Sequence, residues 1–157
     1  MNKVHGIENR RDRNKRFSII MPVVGHQITK IVGKRGEPEK NLKVGSNVEL
    51  KDVRKRDIFV AGDKKSALDF EFQFTIKYGE KAGGIDITGI LFYTGDKAEL
   101  DKLDKEWAKN KKLDTTMVLN ILNRGMEIGY LEAIPLAERL KLPPPIKLPR
   151  FIQDEKK

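Results

Sequence analysis

Cysteine is absent from the 157 residues, which excludes disulfide scaffolds, thiolate zinc sites, iron–sulfur clusters and thiol catalysis. Histidine is scarce. His5 and His26 are the only two, and neither has a second ligand at metal-binding spacing, so no metal and no cofactor is expected. Aromatic residues make up 7% of the chain and do not alternate with basic residues on an exposed face, which argues against base-stacking modules of the RRM or OB type. No apolar run approaches the ~18 residues of a membrane helix, and no membrane partner is expected. The first residues carry charge with no apolar stretch behind them, unlike a secretory signal, which makes the cytoplasm the expected compartment. The motifs G-x-S-x-G, G-x-x-x-x-G-K-[ST] and G-x-G-x-x-G are missing. Ser18, Ser46 and Ser66 have no histidine near them in sequence. Neither enzymatic activity nor a small-molecule substrate is expected.

Charge is what the chain has in excess. Asp, Glu, Lys and Arg reach 35%, against about 25% in an average soluble chain. Lys and Arg number 32 and Asp and Glu 23, a net +9, which favours a polyanionic partner. A Lys- and Glu-rich, cysteine-free composition also resembles hyperthermophile proteins, where charge stabilises the surface. The placement of the excess therefore matters. Residues 1–16 hold Lys3, Arg10, Arg11, Arg13, Lys15 and Arg16 against Glu8 and Asp12. Val4 and Ile7 are too sparse to offset ordering entropy by burial, so this segment reads as a basic N-terminal arm.

The body alternates at the strand period. Phe17–Val32 is rich in Ile and Val, with Pro22 and Gly25 marking a bend or edge, and a loop is expected over Gly33–Asn41. Val48, Leu50 and Val53 anchor a second strand over Val44–Asp57, and Ala61–Ser66 reads as a turn. Leu68, Phe70, Phe72, Phe74, Ile76 and Tyr78 alternate with polar residues, which predicts a strand with one dry face. Ile85–Tyr93 is the fourth strand, with a bulge at Gly89. The period then lengthens. Asp96 and Glu99 read as a capping box before a helix to Asn110 carrying Leu100, Leu103 and Trp107. Asp114 or Thr115 caps a second helix whose stripe is Val118, Ile121, Leu122, Met126, Leu131, Ile134, Leu136 and Leu140. Gly125, Gly129 and Pro135 predict a kink or break in it. Pro143-Pro144-Pro145 forces an extended segment, Leu142–Phe151, whose Ile146, Leu148 and Phe151 are expected to strap back onto the core. The expected fold is α+β: a four-stranded antiparallel meander with C-terminal helices packed on one face. The arm 1–16, a domain 17–151 and a polar tail 152–157 complete the layout.

Chemistry-bearing clusters are few. Asp69 and Glu71 share one strand face, as a carboxylate pair or, with basic residues opposite, as a cross-strand ion-pair ladder. Ile31-Val32-Gly33-Lys34-Arg35-Gly36 is like the I-G-x-x-G core of a KH domain, whose glycine amides clamp a phosphate backbone. The flanking residues do not suit KH helices, so only a basic loop is expected, with Lys34 and Arg35 exposed and Gly33 and Gly36 permitting close backbone approach. Arg54-Lys55-Arg56 is a second basic cluster and Lys109, Lys111 and Lys112 a third. The Phe70, Phe72 and Phe74 row reads as core.

Four meander strands, a long helical part and the closing Leu142-Pro143-Pro144-Pro145-Ile146-Lys147-Leu148-Pro149-Arg150-Phe151 together resemble the SecB export-chaperone fold, over about 17–151. The resemblance implies apolar grooves that hold unfolded chains, and association through an exposed strand or helix. SecB itself is acidic, whereas this chain is basic and carries an arm like those of archaeal ribosomal proteins. The first expectation is therefore a non-enzymatic ribosomal or ribosome-associated protein, of the large subunit, beside rRNA and neighbouring ribosomal proteins. Lys3, Arg10, Arg11, Arg13, Lys15, Arg16, Lys34, Arg35, Arg54, Lys55 and Arg56 would meet phosphates. The alternative is a SecB-like chaperone or interaction module holding unfolded polypeptide clients.

Overall fold

The computed structural model describes residues 23–151. The basic arm with Lys3, Arg10, Arg11, Arg13, Lys15 and Arg16, the stretch 17–22 of the expected first strand, and the tail 152–157 lie outside these residues. Four strands, β1 (Val23–Arg35), β2 (Val44–Val60), β3 (Asp63–Tyr78) and β4 (Gly83–Thr94), precede two helices, α1 (Lys97–Asn110) and α2 (Thr115–Arg139). The strands form one antiparallel sheet in the order β1-β4-β3-β2. The α+β arrangement is as the sequence predicts, and the strand order refines it. β2, β3 and β4 form the meander, and β1 lies beside β4 at the far edge.

β3 organises the core because its alternation is uninterrupted. Leu68, Phe70, Phe72, Phe74, Ile76 and Tyr78 are all fully buried on the face under the helices. Ile85, Ile87, Leu91 and Tyr93 of β4 continue that face. Each large apolar side chain removed from water contributes about 1.5–3 kcal/mol, so this double row dominates the stability of the sheet. Gly89 leaves room for the Phe72 ring, whose tip lies within 2.8 Å of where a Cβ would stand. The irregularity near it is a register shift on β1 between Ile28 and Lys30.

Reaching the far edge requires the chain to cross about 14 Å of sheet. The segment Gly36–Lys43 does so over the β3–β4 turn. Gly36 N donates to Ala82 O at 2.9 Å, Glu37 N to Lys81 O at 3.0 Å, and Gly79 N to Lys43 O at 2.7 Å. One Glu39 carboxylate oxygen takes both turn amides, Glu80 N at 3.0 Å and Lys81 N at 3.2 Å. A Cβ on Gly36 would collide with the Lys81 carbonyl. The glycine of the I-V-G-K-R-G stretch thus admits the protein's own backbone.

β2 and β3 run longer than expected. They join at a tight turn where Ala61 and Gly62 both have positive φ, the conformation a two-residue hairpin needs. β4 ends opposite Ala67, so the Asp57–Ser66 tip projects as a two-stranded ribbon with Phe59 75% exposed. α1 buries Leu100, Leu103 and Trp107 as predicted. Its capping box does not form. Asp96 makes no side-chain cap, and Glu99 instead accepts from Tyr93 Oη at 2.9 Å. Asp114 caps α2, accepting from Thr116 N at 3.1 Å and Met117 N at 3.4 Å.

α2 is continuous through Gly125, Gly129 and Pro135, so the expected break does not occur. Its buried residues are Ile121, Gly125, Ile128, Gly129, Ala133 and Ala137. Small side chains there let the helix axis sit close on Phe72 and Phe74, and Leu131 of the expected stripe turns outward, 71% exposed. Beyond α2, Leu140 to Pro143 are tied down: Leu140, Lys141 and Leu142 donate back to the last turn of the helix, Leu142 is buried, and Tyr78 Oη donates to Pro143 O at 2.8 Å. Ile146, Leu148 and Phe151 are exposed and do not strap onto the core. No helix among the described residues is long and apolar enough to cross a membrane.

Candidate functional site

Among the described residues β2 is an edge strand, paired only with β3. α1 ends and α2 begins above its middle, because Lys111, in the left-handed region at φ 55°, closes α1 through its N–H to Trp107 O at 2.9 Å. The short turn to Asp114 leaves the two helix ends apart, and an open groove of about 500 Å³ lies between them and the strand. β2 contributes Val48 and Leu50, α1 contributes Trp107, and the turn contributes Leu113. Val118, Leu119 and Leu122 of α2 form the far wall, with Leu119 54% exposed. Lys111 and Lys112 stand on the rim.

The floor is held by a buttress. Trp107 Nε1 donates to Asp52 Oδ1 at 3.1 Å, and Arg54 Nε to Asp52 Oδ2 at 2.6 Å. The Asp52 carboxyl is held below the usual carboxylate range, first by the Arg54 hydrogen bond and then by Trp107 and the Val53 N–H, against the opposing effect of burial. On the other side, Ser46 Oγ and Tyr130 Oη are 2.5 Å apart, tying α2 to β2. Glu49, the acidic residue of the lining, is paired with Lys51, which pulls its pKa down.

Those of the residues expected to meet RNA that lie among the described residues stand elsewhere. Lys34 and Arg35 belong to β1, opposite Gly84 and Gly83, and not to a loop. Arg35 Nη1 donates to Leu140 O at 3.3 Å, at the end of α2. Arg54 is bound to Asp52 and Lys55 to Asp101, and each partner raises the pKa of its cation. Arg56 pairs with Asp69 at 3.1 Å and lies 4.9 Å from the centre of the Phe92 ring. Asp69 thus makes one cross-strand ion pair, whereas Glu71 stands opposite Asp52 and has no ion pair among the described residues, so the expected ladder is a single rung. His26 is exposed on β1, and no metal-holding group of His, Asp or Glu exists among the described residues.

Charge along the sequence does not reveal the groove, because its residues read as core anchors. The available signal is Leu119, an apolar residue outside the stripe of α2.

No protein-family model and no curated protein matches the chain. Among solved structures the chain is similar to a Mycobacterium tuberculosis SecB-like chaperone, Rv1957, in complex with a ChAD peptide from the Rv1956 HigA1 antitoxin. Identity is 14%, coverage is 85% of this chain and 91% of that one, and the TM-score is 0.46. The expectation of a ribosomal, rRNA-contacting protein with ribosomal neighbours is corrected on this chain's own contacts: Arg54, Lys55 and Arg56 are ion-paired within the chain, and Arg35 is bound to the Leu140 carbonyl. The physical reason lies in the second basic cluster, whose cations are neutralised by Asp52, Asp101 and Asp69 of the same chain.

Proposed function

We propose that the protein holds extended apolar segments of other polypeptides in the groove beside β2, without catalysis, in the cytoplasm. One observation carries this reading: an open apolar groove lies against an unpaired strand edge. The two features suit an unfolded chain together. Alternate residues of an edge strand turn N–H and C=O groups outward for an added strand. Val48, Leu50 and Leu122 offer apolar contact to its side chains. Folded proteins protect their strand edges and bury their alternating apolar residues, so the geometry favours unfolded over folded chains.

The test is light scattering of an aggregating, chemically unfolded client with the full chain added at equal concentration. The wild type is expected to suppress aggregation, and the pair Leu119→Asp and Leu122→Asp to lose that suppression several-fold, since each lost apolar contact is worth about 1.5–3 kcal/mol. Leu119 is largely exposed, so Leu119→Asp alone tests the wall without threatening the fold. No suppression by the wild type, or equal suppression by the variants, overturns the proposal.

A further inference from the structure

The third basic cluster finds its place at the groove. Lys111 and Lys112 line its rim, and neither makes an ion pair among the described residues. Their position is set by backbone. Lys111 N is bonded to Trp107 O at 2.9 Å, and Lys112 N to Asn110 Oδ1 at 3.1 Å. The Lys111 ammonium lies 5.3 Å from the centre of the Trp107 ring, which holds the cation over the apolar floor. Glu49 does not offset these charges, because Lys51 already pairs with it. The groove therefore offers apolar contact along its length and unpaired positive charge at one end.

We infer that the groove selects polypeptide segments in which apolar residues are flanked by acidic ones, the carboxylates meeting Lys111 and Lys112. This rests on the polypeptide-holding reading and adds its client class. A like-charged segment would bring Lys or Arg against the two rim ammoniums, where repulsion is unscreened within the Debye length of about 8 Å at physiological salt. Arg54, Lys55 and Arg56 add nothing to this selection, being neutralised within the chain.

The test is fluorescence anisotropy with two labelled synthetic peptides that share one alternating Leu–Phe core. One ends in Glu-Glu and the other in Lys-Lys, and both are titrated with the full chain at low and high salt. The Glu peptide is expected to bind about fivefold to tenfold tighter at low salt, with the difference shrinking as salt rises. Lys111→Gln with Lys112→Gln is expected to erase the preference while leaving apolar binding in place. Lys111→Glu with Lys112→Glu is expected to reverse it. Equal binding of both peptides overturns the charge selection and leaves the holding function standing. Binding of neither overturns both. Peptide binding that weakens as protein concentration rises shows the groove covered by a second copy, and likewise overturns the proposal.

Discussion

Gly129 is where α2 comes closest to the sheet. A Cβ there would drive into the Phe74 ring, with the nearest ring atoms fixed between β2 and β4. Helix propensity favours alanine by about 1 kcal/mol, yet overpacking a filled core costs about 1–3 kcal/mol, and the Phe74 side chain is fully buried and has no free volume to move into. Gly129→Ala is expected to lower stability by about 1–2 kcal/mol in urea unfolding, while Gly45→Ala, with nothing within 4 Å of the new Cβ, raises it by a few tenths up to about 1 kcal/mol. A second residue-scale prediction concerns Asp52. Its folded pKa lies below the ordinary value, so the stabilisation it contributes is present above about pH 3.9 and is lost as pH falls through the lower, folded pKa. Protonation also loosens the bond to Trp107, the chain's single tryptophan. Tryptophan fluorescence is expected to show a step in that acid window before global unfolding, and Asp52→Asn to remove the step.

Element by element, the helices and strands follow their sequence periods, and the departures within α2 have one cause. Large apolar residues of α2 recur at helical spacing, which by itself points them all at the core. The sheet surface beneath is already filled by Phe70, Phe72 and Phe74, so the helix docks through Gly125, Gly129, Ala133 and Ala137 and turns Leu119 and Leu131 outward. The small residues do recur at every fourth position, but a count of large apolar side chains does not register the face they make. Pro135 illustrates the same override. Proline in a helix interior leaves the carbonyl four residues back, that of Leu131, without its partner, yet the flanking Ala133 and Ala137 are fully buried and the helix continues to Arg139. Pro135→Ala is expected to restore the missing bond and raise stability by about 1–3 kcal/mol, measured by thermal or urea unfolding, with aggregation suppression unchanged because Pro135 lies outside the groove.

For the molecule as a whole, stability is distributed unevenly. β3 is paired on both sides and its inward residues are fully shielded, whereas β1 among the described residues pairs only with β4, carries two register shifts, and leaves Val24, Ile31 and Val32 exposed. Native-state hydrogen exchange is expected to find the slowest amides in β3 and β4 and distinctly faster ones along β1. Equal protection in β1 and β3 would contradict this ranking. The groove belongs to this scale as well. It exists because an edge strand, the end of one helix and the start of another meet, and it combines Trp107, Leu50 and Leu122, which are far apart in the chain.

Short-range pattern alone was enough for the elements, for β3 as the centre of the core and for the α+β class, because alternation and helical period are written in neighbouring residues. Three-dimensional contact settled the rest. Which edge β1 joins depends on a crossover pinned by Glu39 to the distant β3–β4 turn. Whether a cation is available to a partner depends on distant carboxylates: Asp101 takes Lys55 and Asp69 takes Arg56, while Lys111 and Lys112 are left on the groove rim. A basic count measures charge but not its pairing, and pairing is a property of the folded chain.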